Sequence, residues 1–266
     1  MSEPGAESQP AERPVTAAVL VIGDEILSGR TQDTNIAAIA RYVGVHGVDL
    51  AECRIVPDVH EEIVAALNAL RTKYDYVFTT GGIGPTHDDI TADAVAAAFG
   101  VELHEDQGII DAMIARFGRD ANSDAGINAA RRRMARIPEG GSKVANPVSG
   151  PPGFQIGNVF VMAGVPSIMR GMLEDVGHRL KGGKPTLSRT LKVTGSGEGI
   201  IAAPLERVAK AHPTLSLGSY PYFGPDGYGA QLVIRGRDQS EIDAAADELL
   251  AALTAAGVAD VAPVEV

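Results

Sequence analysis

The sequence predicts an α/β protein: a mostly parallel sheet covered by helices on both faces, followed by a small α+β domain. Three observations lead there. Short apolar runs alternate with segments of helical periodicity from residue 16 to residue 99, the pattern of strand–helix–strand units that build parallel sheets. The runs are almost wholly apolar, as strands buried on both faces are. Composition agrees, because 45% apolar residues with 5% aromatics, no Trp, 31 Gly and 16 Pro describe an aliphatic core joined by many tight turns.

The elements follow in order. Residues 16–22 (TAAVLVI) form an apolar strand that stops at Gly23. Residues 35–45 are helical, with Thr34 as N-cap, and residues 48–56 are the second strand. Pro57 and Asp58 open a helix running to Leu70, with Glu61 and Glu62 in the first turn, where the macrodipole favours them. Residues 75–79 are the third strand, and residues 90–99 a helix stopped by Gly100. Two helices follow at 106–117 and 127–135, separated by a Gly/Asn/Ser-containing break. Short strands come at 142–145, 153–156 and 159–162, the last two joined by a Gly157–Asn158 hairpin turn. A helix over 166–180 begins with Pro at its first turn. After a KGGKP linker, strand, helix, two strands, helix and strand at 186–193, 199–211, 214–220, 229–234, 239–255 and 258–264 describe a split-βαβ α+β domain. The domain organisation is a tail at 1–14, a main domain at 15–181 and a small domain at 186–266.

The totals exclude several classes. A net charge of -11 opposes a general nucleic-acid grip, so no nucleic acid is expected. Cys53, read as inert core, is the only cysteine, so neither an internal disulfide nor a cysteine metal cluster is available. The first residues lack a basic start and an apolar run, so no signal peptide is expected there. No apolar stretch is long enough for a membrane span, and a cytoplasmic location is expected.

The chemistry concentrates in residues 79–91, TTGGIGPTHDDIT, after a buried strand and before a helix. In open parallel sheets ligands bind beyond the carboxyl ends of the strands. Gly81, Gly82 and Gly84 let the backbone approach a ligand, and successive free N–H groups form an anion nest. Thr80 and Thr86 add hydroxyl donors, Pro85 stiffens the loop, and the next helix presents its positive end. No Lys follows the glycines, so this is not a Walker loop, and the spacing is not the dinucleotide fingerprint. Asp88 and Asp89 would repel an anion held there unless a hard divalent cation bridges carboxylate and phosphate. The plain alternative is a glycine-rich turn in which Asp89 caps a helix and His87 is a solvated loop residue.

A second polar segment ends the first strand: Gly23, then Asp24 and Glu25 as candidate metal or ring contacts, then Thr34 and Asn35 as phosphate donors at a helix start. Asn146 and Ser149 tip a stiff Pro/Gly turn, and Gly164, Pro166 and Ser167 lie in a small-residue strand-to-helix turn, both closing the site. Arg131, Arg132, Arg133 and Arg136 read as a solvated basic face. The aromatic stretch at 220–224 is assigned no chemistry.

At these motifs the sequence resembles the molybdopterin-binding fold family of MogA and MoaB. Within it, the N-terminal domain of CinA proteins is more similar, and the molybdopterin-binding-like domain of eukaryotic FAD synthase is also similar. The carrying stretches are GDEILSGRTQDTN (23–35), TTGGIGPTHDDIT (79–91), IPEG (137–140), NPVSGPPGF (146–154) and MAGVPSIM (162–169). The resemblance implies a three-layer α/β/α sandwich, a ligand that is molybdopterin or an adenine nucleotide, and a homo-oligomer, dimer or trimer. It also implies a divalent metal, Mg²⁺ or Mn²⁺/Co²⁺, with metal-dependent chemistry carried by the aspartate that falls on Asp89. Two departures stand out. The Asn-Asn-Arg-Lys stretch of the family reads Ala130-Arg131-Arg132-Arg133, and the nicotinamide-nucleotide deamidase domain of full-length CinA has no counterpart, so that activity is not carried over. The expected function is metal-dependent hydrolysis of ADP-ribose- or FAD-like diphosphates. The alternatives are molybdopterin binding or adenylylation, and a non-catalytic nucleotide or pterin binder.

Overall fold

The computed structural model describes residues 13–118, 127–224 and 227–264, and divides the chain into two compact units, Met1–Gly183 and Lys184–Val266. Most of the tail, and the break between the two middle helices, fall outside the described residues.

The first unit runs β1 (Val15–Ile22), α1 (Asp24–Leu27), α2 (Asn35–Val45), β2 (Val48–Val56), α3 (His60–Lys73), β3 (Tyr76–Thr80) and α4 (Thr91–Phe99). It continues with β4 (Leu103–Glu105), α5 (Gln107–Phe117), α6 (Ala129–Arg132), β5 (Arg136–Pro138), β6 (Ser142–Val144), β7 (Gly153–Ile156), β8 (Val159–Met162) and α7 (Pro166–Val176). Six strands form one sheet in the order β2-β1-β3-β8-β7-β6. The pairs among β2, β1, β3 and β8 are parallel, and β7 runs antiparallel to both β8 and β6.

Strand β1 shows why three layers form. Its side chains alternate between faces, and all are aliphatic from Ala17 onward. Ala18, Leu20 and Ile22 pack with α3, α4 and α5 on one side; Ala17, Val19 and Val21 pack with α2 and α7 on the other. Phe78 and Phe160 stack at 5.3 Å on the second side, where the sheet has its largest side chains. The α/β/α sandwich with a mostly parallel sheet is therefore as expected.

Several elements differ from expectation. The predicted helix over 127–135 is only the short α6 plus a 3-10 turn, because residues 136–138 pair with β4 in a two-stranded ribbon that carries no period-2 signal of its own. The arginine run is not a solvated face. Arg136 makes two 2.8 Å bonds to Asp93, Arg132 pairs with Glu105, and Arg133 donates to the Asp89 carbonyl at 3.0 Å. Cys53 is exposed rather than core, since β2 is an edge strand with one open side. Its thiol is nonetheless pushed up by burial of the sulfur and by nearby Asp33 and Glu52.

The second unit is β9 (Leu187–Thr194), α8 (Glu198–Ala211), β10 (Ser216–Gly224), β11 (Gly227–Gly236), α9 (Gln239–Ala255) and β12 (Asp260–Val264). Its sheet order is β10-β11-β9-β12, with every neighbouring pair antiparallel. Hence β9 and β10 are parallel with β11 inserted between them, and β11 and β12 are parallel with β9 between them. Two interlocked split βαβ units result, and both helices cover one aliphatic face. Asp238 caps α9 by accepting from Ser240 and Glu241 N–H. Among the described residues no helix is long and apolar enough to cross a membrane.

Candidate functional site

The chain leaves β1 for β2 on one side, then crosses to β3 on the other. This reversal opens a crevice at the carboxyl ends of β1 and β3, the place where open α/β sheets bind ligands. Each of these strand ends is held by its outer neighbour: Gly81 N–H donates to Met162 O of β8 at 3.2 Å, and Gly23 N–H to Val56 O of β2 at 3.2 Å. A cleft of about 560 Å³ lies there, within the usual range for a small-molecule site.

The cleft gathers the four separate segments singled out in the sequence. Gly23, Glu25 and Thr31 come from after β1; Gly81, Gly82, Gly84, Pro85, Asp88 and Asp89 come from after β3. Asn146, Ser149 and Pro151 form one wall, and Gly164 and Pro166 another. Segments up to about 140 residues apart in sequence thus meet because each follows a strand at the same edge of one sheet.

Within the glycine loop, Gly81 (φ 104) and Gly82 (φ 65) take left-handed conformations. The Gly81 N–H is taken up by Met162, so the expected nest begins one residue later. Among the described residues, the N–H groups of Gly82, Ile83 and Gly84 have no protein acceptor. The next helix contributes less than expected. Its Thr91 N–H donates to Gly82 O at 3.0 Å, and the Thr91 hydroxyl to Gly81 O at 3.0 Å, so its first turn anchors the loop. Asp89 does not cap that helix. Its Oδ2 accepts from Thr86 N–H at 2.8 Å and from the Thr86 hydroxyl, closing the loop on itself. Gly84 makes room, because a Cβ there would lie 2.6 Å from that oxygen. Asp88 is more open, and hydrogen bonding within the loop holds its carboxyl below the usual carboxylate range. His87 is 99% exposed.

Other expected contacts are structural. Thr34 is exposed and caps nothing; Asp33 accepts from Ile36 N–H at 2.9 Å instead. Asn35 is buried, and its amide donates to Gly164 O at 2.7 Å, tying α2 to the wall of the cleft rather than offering a phosphate donor. Thr80 is buried, with no partner for its hydroxyl among the described residues, and Ser167 is exposed outside the cleft. Asn146 commits its whole side chain to its own turn, donating to Ser149 Oγ and Pro151 O and accepting from Val148 and Ser149 N–H.

Sequence reasoning missed Asp58. It lies just past the carboxyl end of β2, lines the cleft, and accepts from Asp24 N–H at 3.0 Å. Burial raises its pKa most, and the negative charges of Asp24, Glu25 and Asp88 raise it further. Asp24 itself does not line the cleft, and Glu25 folds its carboxylate back over Gly23. Asp89, Asp24 and Glu25 therefore do not converge, and among the described residues no group of three His, Cys, Asp or Glu could cage an ion. The donor chemistry still suits a hard cation of the Mg²⁺ kind, which binds through one or two carboxylates together with ligand phosphates and retained water. Asp88 and Asp89 are the carboxylates that would serve.

A raised carboxyl pKa means the folded state holds the proton more tightly than the unfolded one. Stability then falls as pH rises through the window from the ordinary aspartate value to the raised one. Asp58→Asn keeps an acceptor for Asp24 N–H and removes the charge. In metal-free protein it is expected to raise the Tm near neutral pH, with the gain lost at about pH 3, below the ordinary aspartate value. Thermal melts at both pH values check this; an unchanged or lower neutral-pH Tm would show that the carboxylates do not strain one another.

The comparisons agree with this geometry. Residues 18–182 match the family model described as "Probable molybdopterin binding domain", and residues 185–262 match "FAD synthase, middle domain". CinA of Thermoplasma acidophilum, a protein of unknown function, superposes with a TM-score of 0.58 at 30% identity, covering 62% of this chain and 98% of that one. A protein from Archaeoglobus fulgidus is 30% identical over 84% of this chain and 92% of its own length. A CinA-like protein from Citrifermentans bemidjiense is 38% identical over 71% of this chain and 47% of its own length. The chain spans about half the length of the CinA-like relatives it matches. With the switch-point cleft, the glycine loop and both matched segments in place, the chain belongs to the molybdopterin-binding domain family as a CinA-like member.

Proposed function

We propose that the cleft binds a nucleotide diphosphate and, with a divalent metal, hydrolyses the pyrophosphate bond of ADP-ribose- or FAD-like compounds. The observation that carries this reading is the meeting, in one cleft, of three backbone N–H groups without an acceptor among the described residues (Gly82, Ile83, Gly84) with the carboxylates of Asp58, Asp88 and Asp89. The N–H groups suit phosphate oxygens, whereas the carboxylates would repel them unless a cation intervenes.

In this reading the glycine loop holds and orients the diphosphate. Asp89, fixed by Thr86, and Asp88 hold the metal, which when bound neutralises phosphate charge and polarises the P–O bond. Asp58, as a carboxylate made more basic by burial and by the neighbouring negative charges, takes a proton from the attacking water. The Asn146 and Gly164 walls shape the space for the rest of the ligand. A cytoplasmic homo-oligomer, dimer or trimer, is part of the same reading, and sedimentation analysis of the purified protein tests the assembly.

The experiment is a metal-by-substrate screen with Mg²⁺, Mn²⁺ and Co²⁺ against ADP-ribose and FAD, following release of the monophosphates. Turnover dependent on metal is expected; intact substrates under every metal would sink the hydrolase reading. The match of residues 18–182 to a molybdopterin-binding model favours a second reading, in which the ligand is a pterin that is bound or adenylylated. Capture of molybdopterin without turnover of dinucleotides would select it.

A further inference from the structure

A second cavity, of about 520 Å³, lies beside the cleft and shares with it only Asn146. Its floor is apolar, made by Ile109, Met113 and Phe117 of α5 with Pro147 and Pro152. Its rim carries Arg116, Lys143 and Arg179 against a single carboxylate, Asp175, with Asp106 engaging Lys143 at 2.7 Å. In a chain of net charge -11 this is a local reversal of sign around an apolar hollow. Arg179 is committed to Asp175 and to Lys143 O. Arg116 is not: one N–H reaches Val148 O at 2.9 Å, and the rest of its guanidinium has no protein acceptor among the described residues.

The wall between the two spaces is a single loop, residues 146–152. Ser149 and Pro151 face the cleft, while Pro147, Gly150 and Pro152 face the second cavity. Gly150 (φ 102) lets the loop lie on Arg116, since a Cβ there would come within 3.0 Å of the Arg116 Cδ. On its other side Val148 packs against Gly171 of α7. An occupant of the second cavity therefore presses on a wall of the cleft.

We propose that this cavity binds a small amphipathic anion, a flat apolar ring bearing a phosphate, sulfonate or carboxylate, and that its occupancy braces the 146–152 wall of the cleft. The ring covers Met113 and Phe117 and the anion pairs with Arg116 and Lys143. The size fits, as small-molecule sites run from about 300 to 1,000 Å³ with an apolar lining and few polar groups. Bracing one wall couples the two spaces, so ligands of the cleft and of the cavity alter each other's affinity reciprocally.

The test uses 1-naphthyl phosphate with the full chain, by titration calorimetry and by amide hydrogen exchange. Binding at one site is expected. Arg116→Gln should weaken it about tenfold, the worth of one charge-assisted bond. Ala112→Trp, which fills the cavity from an exposed helix position, should abolish it. The Ser149 amide, which donates to Asn146 Oδ1 on the cleft side of the wall, should exchange more slowly when the probe is bound. No binding to the wild-type chain, or binding that both variants leave intact, overturns the site; binding with unchanged Ser149 exchange overturns the bracing. None of these outcomes depends on whether the cleft hydrolyses a diphosphate.

Discussion

Asp89→Asn is expected to leave the fold intact and to lower metal-dependent diphosphate hydrolysis by at least about a hundredfold. The two halves of this expectation come from different atoms. Asp89 Oδ2 closes the loop by accepting from Thr86 N–H and hydroxyl, and an asparagine carbonyl can accept the same bonds. The Arg133 guanidinium holds the Asp89 backbone carbonyl, which the substitution does not touch. What disappears is the negative charge, and with it the attraction for a hard cation over the glycine loop. Asp89→Ala would be a poorer probe, because it also releases Thr86 and opens the loop. The check is kcat/KM for ADP-ribose at saturating Mg²⁺ alongside a thermal melt. Wild-type turnover by the variant, at an unchanged Tm, would take Asp89 out of the metal-binding role and leave Asp88 to hold it.

That experiment rests on a site that is partly legible in the sequence. The glycine loop, the two aspartates and the Pro/Gly wall can be read because strand ends are marked by changes from apolar runs to small and polar residues, most abruptly at Ile22–Gly23. A parallel sheet then sends all such ends to one edge. Asp58 is obscured by a competing local signal. With Pro57 before it and Glu61 and Glu62 after it, it reads as part of a helix start, although it too follows a strand, and only one strand away from Gly23. Asn35 misleads in the opposite sense. A polar residue at a helix start can serve a ligand or a neighbouring loop with equal local chemistry, and only the tertiary position of Gly164 decides. The arginine run belongs to the same class, since its partners Asp93 and Glu105 lie 27 to 43 residues away.

Gly81→Ala is expected to destabilise the first unit by about 3–5 kcal/mol, a Tm loss on the order of 10 °C. Two separate penalties add. At φ 104 an L side chain is strained, a cost of about 1–3 kcal/mol. A Cβ there would also lie 2.1 Å from the Ile22 carbonyl oxygen, and that oxygen is backbone at the end of β1, with no rotamer by which to move aside. The displacement must pass either into β1 or into the Gly81–Met162 bond that joins β3 to β8, and both edges line the cleft. Gly100→Ala separates the two penalties. Gly100 ends α4 at φ 67, and a methyl group there would meet nothing within 4 Å, so only the conformational cost of about 1 kcal/mol applies. Paired denaturant titrations of the two variants should therefore differ by at least about 2 kcal/mol. Equal losses would mean that β1 yields to the methyl without cost, and that the crevice at the reversal of strand order is compliant enough to reshape around its ligand.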